Sequence, residues 1–405
     1  MANTLLSPTI ITREALRILH ALLSFIQNVN RQYDNQFANE GASPSGKIGP
    51  TLTIRLPNQF TVRTGSLLQV QDVTEASTTL TVSTQKGVDI NFSATDLTLT
   101  IDDFAQRYLK PAMAVLASTI EADALSMVKD VYLFQDHDAA ALAFDDLLAA
   151  QEYLTNSLTP QDGDRCLILP PYHNRKFVNA VTGTYNPQVQ IGEQWKRGMI
   201  AADTAGFDKV YQNTLLTAQA TGTAAKVTGY SIDSAGTVEG TTITVKTGTD
   251  TFKKGDVITI ATQYAVHPET KATLRYLQPQ VVTEDYAGGA GSLKISPGIV
   301  SSGAKQNVSA AIAADQLIVK VGAGASETYI QSLGFHKDAF AFVTADLIDV
   351  AKFGAWGSRQ VQDGISLRIA RQYDITNDKI PTRMDVLYGY KTVRPQLACR
   401  IHADG

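Results

Sequence analysis

Only two cysteines, Cys166 and Cys399, occur in 405 residues, in no CxxC or Cys/His spacing. That excludes a disulfide framework and a structural zinc site as the source of stability, and it suits a reducing compartment. The chain also lacks a charged N-terminal stretch followed by an apolar core and a cleavage site, and it has no run of 18 apolar residues. A signal peptide and a membrane span are therefore not expected, and a membrane is not among the expected partners. Excess charge is missing too: the net value is −4, which argues against a protein that coats nucleic acid.

Catalytic signatures are equally scarce. The sequence has no GxSxG elbow and no HExxH, and its six histidines (20, 137, 173, 267, 336 and 402) are scattered. The glycine-rich pieces 287–291 and 322–325 lack the following Lys-Ser/Thr of a phosphate loop and read as turns. The carboxylate pairs Asp102-Asp103 and Asp145-Asp146 could be acid/base or metal groups. Adjacent helical residues, however, point about 100° apart, and acids at a helix start are favoured by its dipole. No catalytic, cofactor-binding or metal-binding residue is assigned, and no cofactor is expected.

What the chain does have is pattern. Apolar or small residues recur at Ile101, Phe104, Tyr108, Ala112, Val115, Leu116, Ile120, Ala124, Met127 and Val131, the 3.6-residue spacing of one buried stripe. This predicts a rod over about 101–134, with Pro111 marking either a kink or the effective start. Residues 12–29 predict an N-terminal helix capped by Thr12, either core or an arm lying on a neighbouring subunit. From Thr51 the period changes to two. TLTIRL, QFTVRT, TTLTVST and VDINFS predict a ribbon-like hairpin with a turn at Lys86-Gly87, which is marginal unless other strands or another chain complete it.

Farther on, helices are predicted over 139–154 and 174–181, and strands over 165–170 and 209–213. Between 214 and 331 the chain turns rich in Thr, Gly, Ala and Val, with period-two runs at 241–246, 256–262, 274–283, 292–296 and 316–321. These predict a separate all-β insert of about six short strands, a small barrel. Two long strands, 365–373 and 383–393, close the chain, with a turn over 374–381. Charge is distributed unevenly. Residues 89–164 hold 14 acids and 3 bases, while 352–401 hold 9 bases and 4 acids, so the two segments are expected to pair within or between copies.

The order of these parts resembles the major capsid (coat) proteins of tailed bacteriophages, most of all the Salmonella short-tailed-phage branch with its inserted β-barrel. The residues that carry the likeness are Trp195-Lys-Arg-Gly-Met-Ile with Ala205-Gly-Phe-Asp208, Phe252-Lys-Lys-Gly-Asp-Val-Ile-Thr-Ile260, Leu333-Gly-Phe-His-Lys-Asp-Ala-Phe-Ala-Phe342 and Leu367-Arg-Ile-Ala-Arg-Gln-Tyr-Asp374. The resemblance implies an α+β fold, that of tailed-phage and herpesvirus capsids. Its parts would be an N-terminal arm (1–50), an extended β-hairpin loop (51–93) and a peripheral domain with the spine helix (94–138 and 361–405). An axial domain (139–213 and 332–360) and the inserted barrel (214–331) would complete it. It implies a non-enzymatic, self-assembling virion protein that forms pentamers and hexamers. Its partners would be a scaffolding protein, a portal protein and enclosed DNA bound without sequence specificity, with assembly in the host bacterial cytoplasm.

Expected assembly or structural residues are Leu116, Ile120, Gly206, Phe207, Phe340, Arg55, Arg63, Arg368 and Arg371. Competing readings are a bacterial compartment shell of the same fold enclosing a cargo enzyme, a β-rich surface protein or adhesin, and a hydrolase with dispersed acids. The adhesin predicts an exposed aromatic cluster from Tyr230, Phe252, Tyr264, Tyr276, Tyr286 and Tyr329. The hydrolase predicts carboxylates of raised pKa converging on a pocket.

Overall fold

The computed structural model describes residues 8–33, 50–68, 70–71, 75–93, 108–136, 142–182, 204–216, 218–233, 240–246, 248–322, 324–354, 356–362, 365–377 and 379–402. Helix α1 spans Pro8–Leu22 and is followed by a 3-10 turn, Ile26–Asn28. A proline that needs no N–H partner opens the helix four residues before the predicted cap, so Thr12 lies inside it, buried. Strands β1 (Thr51–Arg55) and β2 (Ser77–Thr81) pair as a two-stranded ribbon. β3 (Thr84–Ser93) instead joins a different sheet.

Helix α2, Lys110–Leu125, carries on as a 3-10 turn over Ser126–Asp130 and gives way to strand β4, Leu133–Asp136. The described α-helix is thus about 24 Å long, and Pro111 sits in its first turn, where the missing N–H costs nothing. Predicted residues 101–107 lie outside the described ones. Lys110–Asp130 has the length and apolar composition of a membrane span, yet more than half of that window is buried within the protein, as in a core helix. Then come α3 (Phe144–Asn156), β5 (Arg165–Leu169), α4 (Pro171–Thr182) and β6 (Lys209–Gln212).

The next strands are β7 (Gln219–Ala220), β8 (Val227–Ser231), β9 (Gly240–Val245), β10 (Val257–Val266), β11 (Thr273–Val282), β12 (Gly291–Ile299), β13 (Leu317–Val321) and β14 (Thr328–Tyr329). After them run β15 (Ser332–His336), β16 (Phe340–Ala345), β17 (Trp356–Gln362), β18 (Ile365–Arg371), β19 (Lys379–Thr392) and β20 (Ala398–His402).

The chain divides into two compact units. The first combines residues 1–54, 78–124 and 340–391; the second combines 55–77, 125–339 and 392–405. In the first, the order β16-β19-β18-β17 forms a sheet, with β3 also paired to β19. The expected turn at Lys86-Gly87 is therefore mid-strand. Gly87 is needed there because a Cβ would run into Met384 and Asp385 of β19. Helix α1 packs on β17 and β18, and α2 meets the same sheet at β19, where the Tyr388 hydroxyl donates to Asp123. Asn30 adds a bridge to β16, its N–H donating to the Phe340 carbonyl at 3.0 Å. Ala15, Leu16, Leu19, Phe25 and Ile26 are thus buried in the core of their own chain.

In the second unit a mixed sheet runs β4-β20-β15-β5-β6, with β20–β4 and β5–β6 parallel. Every residue of β5, β15 and β20 is buried. α3 lies over β4 and β20, placing Leu147, Ala150 and Leu154 in one apolar cluster with Phe134, Leu167, Phe207 and Ile401. Strands of the 214–331 segment form a six-stranded sheet, β8-β13-β10-β11-β12-β9. Its two edges meet: Lys246 donates its N–H to the Ser231 carbonyl at 2.8 Å, and Asp233 donates to Thr244 at 3.0 Å. The sheet therefore closes as a barrel and leaves no free edge. Alternate residues such as Ile243 and Val245, Ile258 and Ile260, and Leu293 and Ile295 fill it.

Two strands that the sequence does not predict, β17 and β20, bear on its internal boundaries. β17, placed with the axial segment 332–360, is hydrogen-bonded along its length to β18. β20, placed with the peripheral segment 361–405, is instead a central strand of the other unit's sheet. In-register backbone pairing decides both.

Candidate assembly surfaces and interior nodes

A substrate would need a cavity lined by converging acid/base groups. A cavity of about 500 Å³ lies in the second unit, lined among others by Leu158, Val266, Pro268, Leu274, Tyr276 and Leu397. None of its lining residues is Asp, Glu, His or Cys, so no acid/base pair converges on it. Among the described residues, no group of three or more His, Cys, Asp or Glu could hold a metal ion. Asp146 is used structurally: its Oδ2 accepts the Ala143 N–H at 2.8 Å at the start of α3. The thiols of Cys166 and Cys399 are both pushed up to about 12 by burial, and they face different rungs of β15, Phe335 and Gly334. Neither is a nucleophile at neutral pH.

The carboxyl with a raised pKa is Glu121, and burial is the cause. It is not in a pocket. Its Oε1 accepts the N–H groups of Ser24 (3.0 Å) and Phe25 (2.6 Å) and the Ser24 hydroxyl (2.8 Å), and Oε2 accepts from Ile26 at 3.5 Å. A side chain of α2 thereby serves the orphan donors that open the 3-10 turn after α1. His173 has its pKa pushed down to about 4 by burial, with His402 contributing, and its Nδ1 sits 2.6 Å from the Ser332 hydroxyl. These groups knit the interior together.

The nine expected residues do not form one site. Leu116 and Ile120 lie on the buried face of α2. Gly206, at φ +76°, leaves no room for a Cβ beside Gln151, and Phe207 is buried against Gly334. Phe340 meets Phe25 edge-on, ring centroids 5.5 Å apart. Arg368 binds Asp385 at 2.6 Å, and the Arg371 guanidinium lies 3.6 Å from the Trp356 ring centroid. The expected pairing of this basic segment with residues 89–164 is slight. Arg383 reaches Asp89 only at 4.0 Å but Asp385 at 2.8 Å, so the strands chiefly neutralise themselves.

Arg55 ends β1 and Arg63 lies in the loop between β1 and β2, which has the character of a contact surface. Arg55 pairs with Glu75 at 3.0 Å, and both are well exposed. At the tip Arg63 donates to the carbonyls of Gly65 and Leu67, the latter at 3.2 Å. Gln71 brackets Thr61 with two hydrogen bonds of 2.9 and 2.6 Å. The turn held this way displays Phe60, Val62, Leu67, Leu68 and Val70, each at least 61% exposed. QFTVRT alternates like a strand but is open loop, because side chains rather than a partner strand satisfy its backbone. The exposed aromatic cluster needed by an adhesin is not there: Tyr230, Phe252 and Tyr286 face one another inside the barrel, and Tyr329 is buried.

A closed barrel inserted in an α+β chain and an apolar loop held out in water suit a structural, self-associating protein. Comparison with known families agrees. Residues 9–400 match the family described as P22 coat protein, gene protein 5, and the chain belongs to that family. It is a major capsid protein of a bacteriophage, a component of the icosahedral virion shell.

No curated protein sequence matches. Solved structures similar to the chain include one from Mycobacterium phage Che8, at 13% identity over 94% of this chain and 90% of that one, TM-score 0.48. Others are the capsid of Cyanophage P-SCSP1u (12%, 88% and 84%, TM-score 0.46) and the mature capsid of bacteriophage PhiM1 (10%, 90% and 91%, TM-score 0.43). At such scores the identification rests on the family match. It disfavours the compartment shell, the adhesin and the hydrolase alike.

Proposed function

We propose that copies of this chain close into pentamers and hexamers by seating the 60–70 loop on a neighbouring subunit. The observation that supports this is the loop itself. Five large apolar side chains stand in water on a turn braced by Arg63 and Gln71, an arrangement that is costly for a monomer and suited to a partner surface. The unit holding α2 and β16–β19 would serve as the peripheral domain, and the five-stranded sheet with α3 and α4 as the axial domain. Strand 356–362 would count with the former and 398–402 with the latter.

On this reading the shell is built first as a precursor with a scaffolding protein and a portal protein in the host bacterial cytoplasm. It rearranges as DNA enters, and it holds that DNA without reading its sequence. A mildly acidic chain suits a container, since tight phosphate binding would oppose release. Electron microscopy of the purified protein, alone and co-expressed with its scaffold, tests the proposal. Rings and shells are expected. A compact monomer under every assembly condition would sink it, as would normal shells from a Leu67→Ser, Leu68→Ser variant.

A further inference from the structure

The barrel is connected to the five-stranded sheet by two chain crossings, which pair at Thr328↔Ala220 and Tyr329↔Gln219 and are joined further by the Thr221 N–H to the Glu327 carbonyl and the Ser326 N–H to the Gly222 carbonyl, each at 2.8 Å. They form their own two-stranded ribbon, which ties the crossings to each other rather than to the five-stranded sheet. Apolar packing of Val257 and Val281 against the cluster of Phe134 and Tyr329 adds adhesion but little direction. Directional bonds converge instead on the turn 253–256 just before β10. Gln219 Nε2 donates to the Lys254 carbonyl at 3.0 Å, the Gly222 N–H donates to Asp256 Oδ2 at 3.0 Å, and Arg400 Nη1 donates to the Gly255 carbonyl at 3.0 Å.

Arg400 is an unusual choice for that last bond. It stands on β20 with none of its surface exposed, its guanidinium 5.1 Å from the Phe134 ring centroid, and Nη1 lies 3.4 Å from Gln331 Oε1. Its Nε and Nη2 have no protein acceptor. Burial pulls its pKa down more than the nearby charges of Asp256 and Asp130 hold it up, so the cation is a poor source of stability. An apolar side chain of the same length would fill the space as well. Only a directional donor distinguishes the correct seat of the Gly255 carbonyl from a shifted one.

We propose that Arg400 is a positioning residue: with Gly255 it forms a polar key that fixes one orientation of the inserted barrel on the axial sheet. Gly255 is the matching half. Its φ is +99°, and a Cβ there would stand 2.7 Å from Gln219 Oε1, so the turn presents its carbonyl only as glycine. The surface pairs Lys254–Asp130 (3.2 Å) and Lys226–Asp136 (3.4 Å) flank the key but are partly solvated and weak in directing a docking.

The test uses the full chain with Arg400→Met. The thermal midpoint should stay within a few degrees of the parent. Hydrogen exchange at the Gly222 and Lys253 amides, both bonded to Asp256 Oδ2, should quicken at least about tenfold, while amides of β18 and β19 are unchanged. Cryo-electron microscopy should show the barrel in more than one orientation. Arg400→Lys should restore part of the protection. The proposal is overturned if Arg400→Met keeps parental exchange and a single orientation, or if exchange rises throughout the chain together with a large fall in midpoint, which would make Arg400 a general core residue. If that variant does not fold, Gly255→Ala decides from the other side: local loss of protection at the same two amides supports the key, and parental exchange refutes it.

Discussion

Replacing Glu121 separates two roles that a buried acid can play. Its carboxylate is 1% exposed, and Oε1 carries three good hydrogen bonds while Oε2 carries one long one. Glu121→Ala strips acceptors from the Ser24 and Phe25 amides. Each buried donor left unpaired costs about 1–3 kcal/mol, so a loss of roughly 2–4 kcal/mol is expected after the relief of burying a charge is subtracted. Glu121→Gln keeps an oxygen at the Oε1 position and replaces Oε2, which accepts from Ile26 at 3.5 Å, so it should cost less than Glu121→Ala.

The two variants also differ in pH response. Burial raises the folded-state pKa of Glu121 above its ordinary value of 4.5. The folded state therefore binds the proton more tightly than the unfolded one, and this group's contribution weakens as pH rises through that interval. Glu121→Gln should flatten that part of the profile. Hydrogen exchange at residues 24 and 25, with denaturation between pH 4 and 7, reads both effects. Parental protection of those amides in Glu121→Ala would refute the reasoning, because it would mean that other groups cap the turn.

Three further outcomes follow from interior geometry. His173, held near 4 while an unfolded histidine titrates near 6.5, is neutral in the fold. Its contribution is complete above about pH 6.5 and should fall by up to roughly 3 kcal/mol as pH drops to 4. His173→Gln should reduce that slope in chemical denaturation, and an unchanged slope would count against it. Leu116→Pro should break α2 at a cost of about 3 kcal/mol or more and abolish shells in electron micrographs, whereas normal shells would mean the helix is dispensable. Phe207→Ala, emptying a fully buried ring site beside Gly334, should cost about 3–5 kcal/mol in thermal or urea unfolding. A cost below 1 kcal/mol would show that the site collapses.

Legibility in the sequence followed locality. The barrel strands are nearly all visible because each alternates between a filled interior and water, and Ile258 and Ile260 carry that signal unaided. β8 is weaker, with Gly229 and Ser231 diluting the pattern, and was missed. QFTVRT gives the same alternation although its apolar residues Phe60 and Val62 stand exposed on a loop. The 101–134 pattern overstated α2 because Val131 and Leu133 stay buried after the helix ends: burial continues although the backbone has become 3-10 turn and strand. The polar nodes were invisible. Glu121 looked like one more acid off the helical stripe, and Arg400 like one more base in a basic segment.

Read alone, the sequence determined the class of this protein. Composition, the scarcity of motifs, the change of hydrophobic period along the chain and the order of parts are local quantities, and they sufficed to point to a capsid fold with an inserted barrel. Only the tertiary structure decided which strands share a sheet, that α1 packs on β17 and β18, and which groups Glu121 and Arg400 bind. Those outcomes depend on backbone registers and desolvated side chains joined across 97 residues for Glu121 and Ser24 and 145 for Arg400 and Gly255. Spacing along a chain carries no record of such contacts.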